Sequence, residues 1–143
     1  MKKNIVMSML LLTSMSLAAQ NISSDKVPAA VKQSFSKLYP GLADVDWELE
    51  DGRYEAVFEQ NKQTKEAVFS ADGTLIQAEE EITSVATLPK EVSDAFSTQY
   101  PGYRFMKAEK IIKANGTVQY EIDASLNGKK QELMFDAKGA IIK

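Results

Sequence analysis

The sequence predicts an α+β protein in which one small unit, a helix followed by three or four antiparallel strands, occurs twice in tandem. Three observations predict it. Segments opened by Val27-Pro28 and Leu88-Pro89 match in register at an offset of 61 residues. Within each segment the apolar spacing switches from a helical period to a period of two. Turn-forming pairs then recur at matching places in both.

Taking the chain in order, Lys2 and Lys3 precede an apolar run over residues 5–17, 13 residues interrupted by Ser8, Thr13, Ser14 and Ser16, and Ala18-Ala19 follows. This basic, apolar, small-residue order is that of a secretory signal peptide, and the run falls short of the roughly 20 residues that span a bilayer. Residues 1–19 are therefore assigned to the signal, with cleavage after Ala18 or, preferably, Ala19. The product is placed in the periplasm or outside the cell, without membrane insertion. Residues 20–25 form a short tail, 26–82 the first repeat, 83–87 a linker and 88–143 the second repeat.

In the first repeat Val27, Val31, Phe35 and Leu38 recur at helical spacing, and Pro28 suits a first helical turn, where a missing N–H costs nothing. Tyr39 precedes Pro40 and is driven out of helical geometry, so Tyr39-Pro40-Gly41 ends the helix. The second repeat returns the same signals at Pro89, Val92, Phe96 and Tyr100-Pro101-Gly102. Beyond the turn, residues 44–50 alternate acidic and apolar. Asp51-Gly52 then closes a two-residue hairpin, for which a type I′ turn needs positive φ. That hairpin sets Leu49 opposite Tyr54, Trp47 opposite Ala56 and Val45 opposite Phe58, with the helix over that face. A one-residue slip would expose the whole set, so the register is strongly specified. A third strand is expected over 65–70, and a fourth after Ala71-Asp72-Gly73. From Tyr54-Glu55 and Tyr120-Glu121 onward the offset is 66, so the second repeat carries five more residues, assigned to a longer hairpin around 110–114. Its turns are expected at Asn115-Gly116, Asn127-Gly128 and Lys138-Gly139. Residues 79–87, an acidic run and then Thr, Ser, Val and Ala, read as the joint between repeats.

The chain has 143 residues, 17 Lys and Arg, 20 Asp and Glu, no His and no Cys. Loss of Lys2 and Lys3 leaves 15 basic against 20 acidic residues, a net charge of −5. Nucleic acid is excluded by the sign of the charge and the absence of a basic cluster. Without His or Cys there is no thiol nucleophile, imidazole base, Ser-His-Asp triad or Cys/His zinc site.

The conspicuous polar feature is the stripe Asp44, Asp46, Glu48 and Glu50. It reads either as a cation site or as the solvated face of a half-buried strand. Same-face strand residues stand nearly 7 Å apart in parallel, whereas calcium needs six to eight converging oxygens. The solvated face is the stronger reading, and no metal or cofactor is assigned. Trp47 reads as core rather than a stacking platform, and the second repeat has Ala108 in its place.

These residues together resemble a known family. The Val-Pro or Leu-Pro helix start, the Phe, the Tyr-Pro-Gly turn, Trp47-Glu48, Asp51-Gly52-x-Tyr54-Glu55 and Phe69-Ser70-Ala71-Asp72-Gly73 are similar to the PepSY-like, or beta-lactamase-inhibitor-like, family of exported Bacteroidota proteins. The resemblance spans about residues 26–143. It implies that the two sheets join into one curved sheet with both helices on one side. It also implies a binding role, while its members' partners do not carry over.

The expected function is an exported, non-catalytic, inhibitor-like protein-binding module, whose partner is an unidentified protein of the cell envelope. The alternative is a small-ligand or cation-binding envelope protein. The hairpin register turns Asp46, Glu48, Arg53, Glu55 and Val57 to the open sheet face, with Gln119, Glu121 and Asp123 as second-repeat counterparts. These eight form the candidate interaction face.

Overall fold

Two helices of equal length carry the pattern read from the sequence. In the computed structural model, which describes residues 19–142, α1 spans Ala29–Leu38 and α2 spans Lys90–Gln99. Each follows a proline and a short 3-10 turn, Ser24–Lys26 or Val85–Thr87. Each buries two side chains four positions apart, Val31 and Phe35 or Val92 and Phe96. Each stops at the tyrosine before Pro-Gly, whose N–H still bonds the phenylalanine carbonyl one turn back. Residues 1–18, and with them the signal-peptide assignment, lie outside the described residues.

The strands are β1 (Gln20–Ile22), β2 (Asp46–Glu50), β3 (Arg53–Gln60), β4 (Gln63–Phe69), β5 (Leu75–Ile82), β6 (Arg104–Lys113), β7 (Val118–Leu126) and β8 (Lys129–Asp136). They form one curved antiparallel sheet in strict chain order. The hairpin register is as expected, with Leu49 opposite Tyr54 and Trp47 opposite Ala56. Asp51 and Gly52 both have positive φ, as a type I′ turn requires. Val45 precedes β2 but still packs beside Trp47.

Three expectations are corrected. Residues 20–22 are not a loose tail: they pair with β2, Ile22 opposite Trp47. Residues 79–82 are not a joint but the end of β5, which pairs with β4 on one side and β6 on the other. The segment after Lys138-Gly139 forms only a bridge, Phe135 to Ile141, where the first half has a full strand. The turn expected at Asn115-Gly116 is present between β6 and β7, with Gly116 at positive φ and the Asn115 side chain accepting from Thr117 N–H. The element order strand, 3-10 turn, helix and three strands thus occurs twice, starting at β1 and at β5. The five extra residues lengthen β6 so that it reaches Gln77 at the start of β5.

Two separate apolar clusters lie between helices and sheet. One joins Val31 and Phe35 to Trp47, Ala56, Phe58, Ala67 and Phe69; the other joins Val92 and Phe96 to Ala108, Tyr120, Ile122, Leu133 and Phe135. Strand alternation puts the remaining side chains of each strand on the opposite, open face.

Candidate functional site

Tracing the registers strand by strand shows what the open face presents. Asp46 faces Val57, which faces Glu66, Glu79, Ile111 and Gln119 in turn across the sheet. Glu48 faces Glu55, which faces Val68 and then Gln77. Glu81 faces Glu109, which faces Glu121, and Lys107 faces Asp123. All eight sequence-derived residues therefore lie on one face. They fall into two groups: Asp46, Glu48, Arg53, Glu55 and Val57 on β2–β3, and Gln119, Glu121 and Asp123 on β7. Four strand spacings, about 19 Å, separate β3 from β7.

The residues between these groups were not found from sequence. Glu66, Glu79 and Glu109 fill the centre on β4, β5 and β6, and Val68 and Ile111 are buried there although neither belongs to a helix-covered cluster. A side chain shielded on an uncovered face is one that its strand neighbours enclose, as on the hollow side of a bend. Alternation within each strand was the available signal, but only the pairing partner of β5 could show that these glutamates converge.

Crowding carboxylates on half-buried ground changes their chemistry. Burial, then repulsion from Glu50, Glu79 and Glu48, pushes Glu55 up to about 7 against the pull of Arg53. Burial, then Glu79, Glu109 and Glu55, does the same to Glu66, also about 7. Glu121 reaches about 7 through burial and then Glu109, Glu132 and Asp123. Burial also raises Glu79, against a hydrogen bond from Gln77. The face therefore carries less negative charge near neutral pH than its composition implies. Lys107 offsets part of the rest, its Nζ 2.6 Å from Glu109 and 4.0 Å from Asp123. These raised carboxylates stand on an open sheet face, where burial first and then mutual repulsion account for them.

One group among the described residues has metal-ligand proximity: carboxylate oxygens of Glu121, Asp123 and Glu132 lie within 4.8 Å of one another. They converge because they sit on adjacent strands, which the single-strand stripe Asp46, Glu48 and Glu50 does not achieve. Lys107 beside Asp123 already supplies a positive charge there. Among the described residues no helix is long and apolar enough to cross a membrane.

Comparison with known proteins agrees with this architecture. The chain matches the PepSY-like family, described as beta-lactamase-inhibitor-like, over residues 15–77 and again over 52–143. It belongs to that family. Among solved structures, it is similar to a BLIP-like protein from Bacteroides fragilis, at 25% identity and TM-score 0.70, covering 81% of this chain and 84% of that one. A DUF2874 family protein from Bacteroides ovatus matches at 24% identity and TM-score 0.75, covering 81% and 84%. A protein from Bacteroides eggerthii, provisionally described as periplasmic, matches at 18% identity and TM-score 0.77, covering 82% and 86%. No curated protein matches the chain. For a PepSY-like chain the comparisons indicate an inhibitor-like fold and name no target.

Proposed function

We propose that this PepSY-like protein is an exported, non-catalytic, inhibitor-like binding module that works in the periplasm or outside the cell and docks an envelope protein on its open sheet face. The observation that carries this reading is an uncovered face, the width of the sheet, at whose centre Val68 and Ile111 are buried among glutamates. The docking residues are Asp46, Glu48, Arg53, Glu55, Val57, Gln119, Glu121 and Asp123, joined through Glu66, Glu79 and Glu109. Such a rim favours a basic partner surface and speeds its approach in a salt-sensitive way. The similarity to a BLIP-like protein supports an interaction role, and the short apolar run before residue 20 supports export. The two halves are copies of one unit; the doubled family match and the repeated element order support this.

The test takes a partner captured from envelope extract and measures its association with wild type and with Glu48→Gln, Glu55→Gln and Glu121→Gln combined. Measurement at pH 8, above the raised carboxylates, keeps the rim charged. A large fall in on-rate at low salt, shrinking at moderate salt and with the fold intact, supports the open face. An unchanged on-rate moves docking to the hairpin tips or the helices.

A further inference from the structure

The face beneath the helices is itself incompletely covered. One row crosses it by register: Phe58, Lys65, Glu80, Lys110, Tyr120 and Phe135. The terminal phenylalanines belong to the two apolar clusters, and the charges lie in the gap between. Lys65 Nζ donates to Glu80 Oε1 at 3.1 Å, and Lys110 Nζ stands 3.9 Å from Glu80 Oε2. One carboxylate facing two ammoniums leaves a positive charge uncompensated. Lys110 is the looser of the two, with no hydrogen bond among the described residues. Over it opens a cleft of about 430 Å³, whose lining includes Glu80, Ile82, Thr83, Pro89, Lys110 and Tyr120, and also Glu81, whose side chain the strand register places on the open face beside Glu109.

We propose that this cleft is a second binding site, taking a small carboxylate ligand on Lys110 Nζ with the Tyr120 hydroxyl as a further donor. A cation would confront two ammoniums around a carboxylate already engaged, whereas an anion completes the charge balance at Lys110. A charge-assisted bond to an ammonium is stronger than a neutral one. Ile82 and Pro89 offer apolar contact for the body of such a ligand, and the volume lies in the range of small-molecule sites. The carboxylate can come from a free organic acid or from the C-terminus of a peptide. The site is on the opposite side of the sheet from the open face and does not rest on the docking reading.

The test is a titration of the full mature chain followed by amide NMR. The probes are benzoate against benzamide, and acetyl-Phe-Ala carboxylate against its C-terminal amide. At least one carboxylate should shift the amides of Ile82, Thr83, Lys110 and Tyr120 while leaving Glu55 and Glu121 in place, and its neutral twin should not. Response to benzoate points to a free acid; response to the dipeptide alone points to a peptide terminus. Lys110→Gln should weaken binding by roughly tenfold or more, as loss of a charged hydrogen bond implies. Lys110→Arg, which keeps the charge, should retain most of it, and thermal unfolding checks that both variants fold. Absence of any shift, equal shifts from a neutral twin, or undiminished binding by folded Lys110→Gln would overturn the proposal.

Discussion

The two helix-covered cores solve one packing problem with opposite choices. In the first half Trp47 faces Ala56, which faces Ala67; at the matching places in the second half Ala108 faces Ile122, which faces Leu133. The bulk has moved from the second strand to the third and fourth. Phe35 meets Trp47 edge-on at 5.6 Å and Phe58 at 5.2 Å, while Phe96 packs near Tyr100 and Phe105 at 6.4 Å. What is kept between the halves is the volume under the helix and the phenylalanine that enters it, not the identity of each wall. Close-packed interiors constrain summed volume in this way.

The largest effect should come from the shared anchor. Phe35→Ala and Phe96→Ala should each cost about 3–5 kcal/mol in urea unfolding. A loss below about 1 kcal/mol at either would end the equivalence of the two sites.

The exchanged bulk gives the sharper comparison. Trp47→Ala should also cost on the order of 3–5 kcal/mol, because its alanine neighbours cannot fill the void. Adding Ala56→Ile, which copies the second half, should recover part of that loss, with a coupling of roughly 0.5–3 kcal/mol in a double-mutant cycle. Strict additivity would show that the swap is not compensatory.

Next come two glycines. Gly73 and Gly139 both have positive φ, and a Cβ on either would press on helix backbone, at Ala30 O for Gly73 and at Glu91 O for Gly139. Gly73→Ala and Gly139→Ala should each destabilise by roughly 1–3 kcal/mol from overpacking, with backbone strain in addition. Gly52→Ala, at a turn with nothing near, should show the strain alone.

The open face should reveal itself through pH. Glu55, Glu66 and Glu121 hold protons more tightly folded than unfolded, so their protonation favours the fold. That contribution is fully present below the ordinary glutamate range and is lost as pH rises through about 7. Their urea midpoint contribution should thus fall between pH 5 and pH 8. The combined change of these three to Gln should flatten the slope; an unaltered slope would place its origin elsewhere. The smallest effect belongs to α2. Lys90 pairs with Asp94 one turn on, both side chains being exposed, and α1 has Ala29 and Gln33 there. Lys90→Ala should leave the urea midpoint almost unchanged.

Local chemistry made much of the fold legible. Pro28, Pro89 and the two Tyr-Pro-Gly turns bound the helices, and the single buried face of 45–49 fixed the first hairpin, because one slipped residue would have turned Trp47 to solvent. Partners set by distant strands were not legible. Residues 79–81, Glu-Glu-Glu, read as a solvated joint because nothing local shows that Glu80 lies between Lys65 and Lys110. The Gln20–Ile22 segment has no strand signal beyond Ile22 itself; β2 supplies its ladder. The same limit divided the candidate face. Its rim was visible strand by strand, while its centre at Glu66, Glu79 and Glu109 exists only once β5 has joined the halves.

Strict chain order in the sheet also bears on how the protein reaches its fold. Every strand pairs with a chain neighbour, so each contact closes a hairpin or a loop spanning one helix, and none threads across the molecule. Pairing only chain neighbours keeps the loop that each strand contact closes short, so the strands can pair one half at a time. The side of β5 that a leading half leaves unpaired then serves as a template on which the trailing half zips. An unfolded chain thus has a route to its fold in which each strand finds its partner next to it in the sequence.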